Sequence, residues 1–296
     1  MVAARASRPA HSETNVENIW LHRYAVFVAC CTLVLVIAGG LVTSNDAALS
    51  VPDWPLAWGR LIPPLEGGIV YEFGHRVVAA AVACLTVILA LWLRKSEPRV
   101  WVRKLGWTAV VTVLAQALLG GIVVLWVTPK AASIAHACLG QLYFGLMVAV
   151  AQATRGASLN PSGQAWRPTL LFAVIALFGQ TILGAALRHN AAGLLPHIVG
   201  AGIATIVVMW AALQILMTET EDARIRRPAM TLLTLTFSQI FLGMAAYFSR
   251  TLTADAPQPQ LAMVWLTVAH VAVGALAFGA AVSMALTGVS GGLAVA

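Results

Sequence analysis

Hydrophobic and polar positions in this chain fall in long blocks rather than at short period. Eight apolar runs, at roughly 24–42, 74–93, 107–127, 133–152, 168–187, 196–217, 229–248 and 261–286, are long enough to cross a hydrocarbon core of about 30 Å as helices. The pattern therefore predicts an all-α integral membrane protein with eight transmembrane helices. The first run follows a polar amino-terminal segment and is too long for a signal-peptide core. With no small-residue cleavage site ahead of a soluble body, it reads as an uncleaved span.

The runs also repeat. Gln116–Gly120 in span three, Gln180–Gly184 in span five and Gln239–Gly243 in span seven share the pattern Q-x-x-L-G, and Ile37–Gly40 in span one is a degenerate counterpart. Each is followed, across a loop, by a histidine. The unit is thus a helical hairpin used four times, grouped as two four-helix bundles. This gives an amino-terminal segment at 1–23, a first bundle at 24–152, a linker rich in Gly, Ser, Pro and Asn at 153–167, a second bundle at 168–286 and a tail at 287–296.

Composition agrees with the pattern: 60% of residues are hydrophobic, 10% are charged, and mean hydropathy is +0.85. Basic residues then orient the chain. Arg5, Arg8, Arg23, Arg94, Lys95, Arg99, Arg103, Lys104, Arg155, Arg167, Arg224, Arg226 and Arg227, 13 of the 18, fall on one side. Arg60, Arg76, Lys130, Arg188 and Arg250 fall on the other, so the positive-inside rule places both termini in the cytoplasm. That topology accounts for the net charge of +7 without a nucleic-acid partner. Cys30, Cys31, Cys84 and Cys138 all lie inside predicted spans, which argues against a loop disulfide or a cysteine metal site.

His75, His136, His197 and His270 stand at the starts of spans, near the extracytoplasmic surface. Each has a small residue one turn later: Ala79, Gly140, Ala201 and Gly274. Ionisable groups inside membrane spans are uncommon and usually functional, although a single such histidine can be a helix-capping or interface residue. Each bundle owns two, on its second and fourth helices, which suits the two axial positions of a haem iron. The small residue would give the porphyrin edge room beside the helix. A zinc site would need more ligands than two histidines supply.

The two bundles differ. Glu72-Phe73-Gly74-His75-Arg76 puts a carboxylate three residues before the histidine and a guanidinium just after it, whereas Leu195-Pro196-His197-Ile198 is apolar. Chemistry at a haem periphery needs a polar group near the reacting atom; electron transfer needs only ligands and a dry pocket. Reaction is therefore assigned to the first bundle and electron supply to the second. Glu72 has two readings, a functional carboxylate or a residue paired with Arg76 at the helix mouth. Arg76 suits a haem propionate. Arg188 and His189, just beyond span five, suit propionates of a second haem or an ordinary solvated loop.

With these residues in view the chain resembles the haem A synthase family across all eight spans. The resemblance rests on Gly39–Ser44, Leu49–Pro55, Glu72-Phe73-Gly74-His75-Arg76 and the helix-starting His136, His197 and His270. It implies oxidation of the ring methyl of haem O to a formyl group, giving haem A for cytochrome oxidase. By position, His75 and His136 would face the substrate haem O, His197 and His270 would ligate haem b, and Glu72 would be the functional carboxylate. Some members carry a cysteine pair in the first outer loop; here, between Thr43 and Tyr71, there is none, and Asn45–Ala48 replaces a glycine-containing stretch.

That loop is stiff and aromatic, with Pro52, Asp53, Trp54, Pro55, Trp58, Pro63 and Pro64, and reads either as a lid over the first site or as an interfacial anchor. The expected setting is a bacterial-type cell membrane. The lipid bilayer is one partner, and haem O synthase, an electron donor and a second copy of the chain are further candidates. Gly200-x-Gly202 could serve packing between bundles or between protomers. A di-haem b-type electron carrier that leaves haem unmodified is the alternative function. A transporter built from repeated bundles would explain the duplication but not the histidine spacing.

Overall fold

The computed structural model describes residues 18–155, 167–218 and 223–287. Eight helices account for most of them: α1 (Ile19–Ser44), α2 (Gly68–Ser96), α3 (Val100–Leu125), α4 (Lys130–Ala153), α5 (Arg167–Arg188), α6 (Leu194–Thr218), α7 (Ala223–Leu252) and α8 (Leu261–Thr287). All eight are long and apolar enough to cross a membrane, which makes this a multi-pass membrane protein. The amino-terminal segment up to residue 17, linker residues 156–166 and the tail from 288 lie outside the described residues.

Neighbours in sequence pack as neighbours in space. Helices α1 to α4 form one ring, with α1 against α4 closing it, and α5 to α8 form a second, closed by α5 against α8. Each ring has its own apolar core. The first is built from larger side chains such as Leu21, Leu89, Leu93, Tyr143 and Met147. In the second, Ala173, Ala211, Ala212, Ala229, Ala277 and Ala281 let the helices approach closely, the usual solution where lipid removes the hydrophobic drive for association.

The rings meet through α8, which packs against both α1 and α4, and to a lesser extent through α4 against α5. The central contact is reciprocal. A Cβ at Gly145 would lie 2.6 Å from Cε1 of Phe278, and one at Gly279 would lie 2.9 Å from Cε1 of Phe144. Phe144 and Phe278 each stand eight residues after the histidine of their own helix. The two rings therefore interlock at equivalent positions of the repeat.

Successive helices run antiparallel, so the starts of α2, α4, α6 and α8 gather at one end of the molecule, here termed the histidine end. The opposite end of the first ring is pinned by polar bonds. Glu97 pairs with Arg99 at 2.6 Å, Arg99 also donates to the Ala153 carbonyl at 2.8 Å, and His22 Nδ1 lies 3.1 Å from the Ala151 carbonyl. His22 thus ties α1 to α4, far from the other histidines.

Candidate functional site

At the histidine end the four helix-borne histidines form two pairs, one per ring. The ring centroids of His75 and His136 are 6.5 Å apart with planes at 79°, and those of His197 and His270 are 6.2 Å apart at 76°. The histidines sit between about one and three turns inside their helices, and for His75, His136 and His197 this is deeper than the apolar runs alone suggested. Metal–imidazole bonds of about 2 Å, with roughly 1 Å more to each ring centre, place two axial imidazoles about 6 Å apart. Both pairs match that spacing.

The donor set fits a haem better than a bare cation. Among the described residues, no group of three or more His, Cys, Asp or Glu side chains could hold a metal. A haem iron brings four equatorial nitrogens of its own and asks the protein for two. Nδ1 of His75, His136 and His270 is buried with no close hydrogen bond, and each ring approaches the backbone of the preceding helix, at Leu35, Gln116 and Gln239 respectively.

Each ring is seated by a glycine of the preceding helix. A Cβ at Gly39 would lie 3.2 Å from Cε1 of His75, at Gly120 3.1 Å from His136, at Gly184 3.2 Å from His197 and at Gly243 3.1 Å from His270. These are the glycines of the repeated motif, and Gly39 of its degenerate copy. One turn after two of the histidines, the small residue adjoins a glutamine of the preceding helix. Gly140 faces the Gln116 side chain and Gly274 faces Gln239, each at 3.2 Å from the position of a Cβ. The motif is legible in the sequence; that it cradles the next helix's histidine is not, because the partner lies across a hairpin.

Glu72 and Arg76 turn to the first loop. Buried Glu72 accepts the Val51 N–H at 2.8 Å through Oε2 and pairs with Arg76 at 2.6 Å through Oε1. Arg76 Nη1 donates to the carbonyls of Asp53 at 2.7 Å and Leu56 at 2.9 Å, and Nη2 to that of Val51 at 3.0 Å. Glu72 is thus paired with Arg76, and together the two residues hold the loop down. No hydrogen bond joins Glu72 to His75 among the described residues. The guanidinium expected to meet a propionate thus has four bonds within the protein.

The loop carries its own scaffold. The Asp53 carboxylate accepts the N–H groups of Trp58 at 2.6 Å and Gly59 at 2.7 Å, where the chain turns through positive φ at both residues. The Gly59 N–H, then that of Trp58, hold the Asp53 carboxyl below its ordinary value despite opposing desolvation. Trp54 reaches across to α3, where a Cβ at Gly121 would lie 2.9 Å from its Cδ2. Gly120 seats His136 and its neighbour Gly121 seats Trp54. The loop is thereby tied to α2 beside His75 and to α3 beside the glycine that seats His136.

Arg188 bridges the rings. Its Nη2 donates to the Thr43 carbonyl at the end of α1 at 2.5 Å, and its charged neighbours are Arg250 and Asp46. Lys130 of α4 donates to the Asn190 carbonyl at 2.8 Å, a second tie. Burial, and then the charge of Arg188, push the His189 imidazole below its ordinary value. The second pair has no covering loop of comparable size.

Fold and site together define a class: an eight-helix membrane protein in which each of two four-helix rings offers one pair of facing histidines at iron-ligating distance. Residues 66–196 match the family described as cytochrome oxidase assembly protein, COX15-CtaA, a stretch that includes Glu72, His75 and His136. The chain is 31% identical over 251 residues to the heme A synthase of Symbiobacterium thermophilum, covering 71% of this chain and 80% of that protein. It is 30% identical over 165 residues to that of a Methylobacterium species and 35% identical over 113 residues to that of Lysinibacillus sphaericus. These matches span 45% and 37% of those two relatives' lengths. The chain belongs to the haem A synthase family.

Proposed function

We propose that the protein oxidises the ring methyl of haem O to a formyl group, yielding haem A. The observation that carries this reading is the inequality of two otherwise matched sites. Both rings offer a histidine pair at iron-ligating distance, and among the described residues only the first adjoins a long loop latched by a buried Glu–Arg pair. A site that must admit a substrate, exclude water and release a product gains from such a cover. A site that keeps a cofactor does not need one.

In this reading His75 and His136 hold the substrate haem O, and His197 and His270 hold haem b, which when bound supplies one-electron transfer. Glu72 and Arg76 keep the loop closed on the first site, and Trp54 fills the space above Gly121. The substrate's methyl carbon is hydroxylated twice and the resulting diol loses water to leave the formyl group, with oxidant and electrons supplied from outside the chain. Arg188, between the rings, is placed to attract propionate charge. The relatives named heme A synthase and the matching family support the assignment. The spread of Lys and Arg supports cytoplasmic termini and sites facing the extracytoplasmic side.

The test is co-expression with a haem O source, followed by extraction of total haem and mass analysis. Haem A appearing only when this chain is present is the expected result. Haem b alone, with haem O unconsumed, would overturn the proposal in favour of a di-haem carrier.

A further inference from the structure

Three of the four hairpins carry a clamp that the first one lacks. Gln116 Nε2 donates to the backbone carbonyl of His136 at 2.8 Å, Gln180 to that of His197 at 3.0 Å and Gln239 to that of His270 at 2.9 Å. Each glutamine stands one turn before the glycine that seats the same histidine ring. Helix–helix approach at these points depends on a missing Cβ: Gly140 and Gly274 face the amides of Gln116 and Gln239, and Gly200 meets Gln180. One residue type reaches across, another makes room for it, and both recur together.

In the first hairpin both halves are absent. Leu35 occupies the glutamine position, one turn before Gly39, and Ala79 occupies the position of Gly140 and Gly274. Leucine has no donor to reach the His75 carbonyl, and neither Val78 nor Ala79 leaves the gap that Gly140, Gly200 and Gly274 leave in the other hairpins. His75 therefore has its seat on Gly39 and the approach of its ring to the Leu35 backbone, without a glutamine clamp. His136, His197 and His270 are held both by a glycine seat and by a glutamine bond to their own backbone.

We infer that Gln116, Gln180 and Gln239 are positioning residues that fix three histidines as permanent axial ligands, and that unclamped His75 is the exchangeable one. This rests on the haem-binding part of the reading above and deepens it. A substrate haem that enters and leaves needs one ligand able to yield, and His136 remains as the fixed side of that site. Haem held between two clamped histidines, in the second ring, stays.

The experiment uses full-length protein purified with haem b in both sites and follows haem transfer to apomyoglobin, with low-spin electron paramagnetic resonance reporting imidazole orientation. Wild type should lose haem in a fast phase from the first ring and a slow phase from the second. Losing one hydrogen bond should change such a rate roughly three- to tenfold. Gln239→Leu should accelerate the slow phase by that factor and shift the resonance signal of the second haem. Grafting the clamp as Leu35→Gln with Ala79→Gly should slow the fast phase. If the graft fails to fold, Gln239→Leu, which places an apolar side chain of similar size, decides alone. Equal phases in wild type, or an unchanged slow phase in Gln239→Leu, would overturn the inference. Protein that binds haem but makes no haem A overturns only the reaction; protein that binds no haem overturns both.

Discussion

Gly243 and His270 meet across the last hairpin, with the position of a Cβ on the glycine only 3.1 Å from Cε1 of the imidazole. The contact is tighter than ordinary packing tolerates, so the histidine ring depends on the absence of a side chain one helix away.

A methyl group there forces the ring to shift by a few tenths of an ångström, and a branched side chain forces it out. Gly243→Ala should therefore weaken the low-spin haem spectrum of the second ring, and Gly243→Val should abolish it while the first ring's spectrum persists. Visible spectra with haem quantitation check this. Full haem occupancy in Gly243→Val would show that the glycine seat is unimportant.

The latch of the first loop makes a separable prediction. Glu72→Ala removes the acceptor of the Val51 N–H and the counterion of Arg76, at a local cost of about 1–3 kcal/mol. Amide exchange at Val51 should accelerate roughly tenfold or more, since exchange reports local opening. Product should fall while haem b in the second ring is retained. Unchanged exchange at residues 47–60 would mean that Glu72 does not hold the loop.

Acid should open the same loop through Asp53. Its carboxyl is held below the ordinary 3.8 by the Gly59 and Trp58 N–H groups, so the folded loop binds fewer protons than the open one. The stabilisation is complete above the ordinary value and drains away as pH falls through it and below. Hydrogen exchange at Trp58 and Gly59, corrected for intrinsic rates, should rise as pH drops from about 5 toward 3. In Asp53→Asn the loop should be loose at every pH and show little pH response; a wild-type-like response there would exclude Asp53 as its source.

Arg188 offers a charge test between the rings. Removing its guanidinium in Arg188→Leu leaves the Thr43 carbonyl with only the Asp46 N–H, 3.3 Å away, and takes a positive charge from beside the proposed propionates. Losing that charge disfavours the electron-rich state, so the midpoint potential of a neighbouring haem should fall. Arg188→Lys should retain most of it. Redox titration of both variants decides, and equal potentials in wild type and Arg188→Leu would remove Arg188 from either site.

Much of this architecture is legible in the sequence because hydrocarbon permits few alternatives. Eight runs become eight helices, and the duplicated hairpin appears as two closed rings. Helix ends are less legible. α2 begins at Gly68, ahead of its apolar run, because Glu72 and Arg76 satisfy each other and the loop, and α7 begins at Ala223, ahead of Arg224, Arg226, Arg227 and Pro228. Charge lowers hydropathy without preventing a helix. The histidines stand out because ionisable residues are rare in spans. What seats them does not, since Gly120 and His136, or Gln239 and the His270 carbonyl, become neighbours only when a hairpin closes.

The central claim is that two similar histidine pairs do different work, one holding a substrate and the other a resident cofactor. Alanine variants of His75, His136, His197 and His270, each co-expressed with a haem O source and assayed for total haem by extraction and mass, test it directly. His75→Ala and His136→Ala should retain haem b and make no haem A. His197→Ala and His270→Ala should lose haem b itself. Equal loss of haem b from all four, or haem A formed by His136→Ala, would contradict the division of labour.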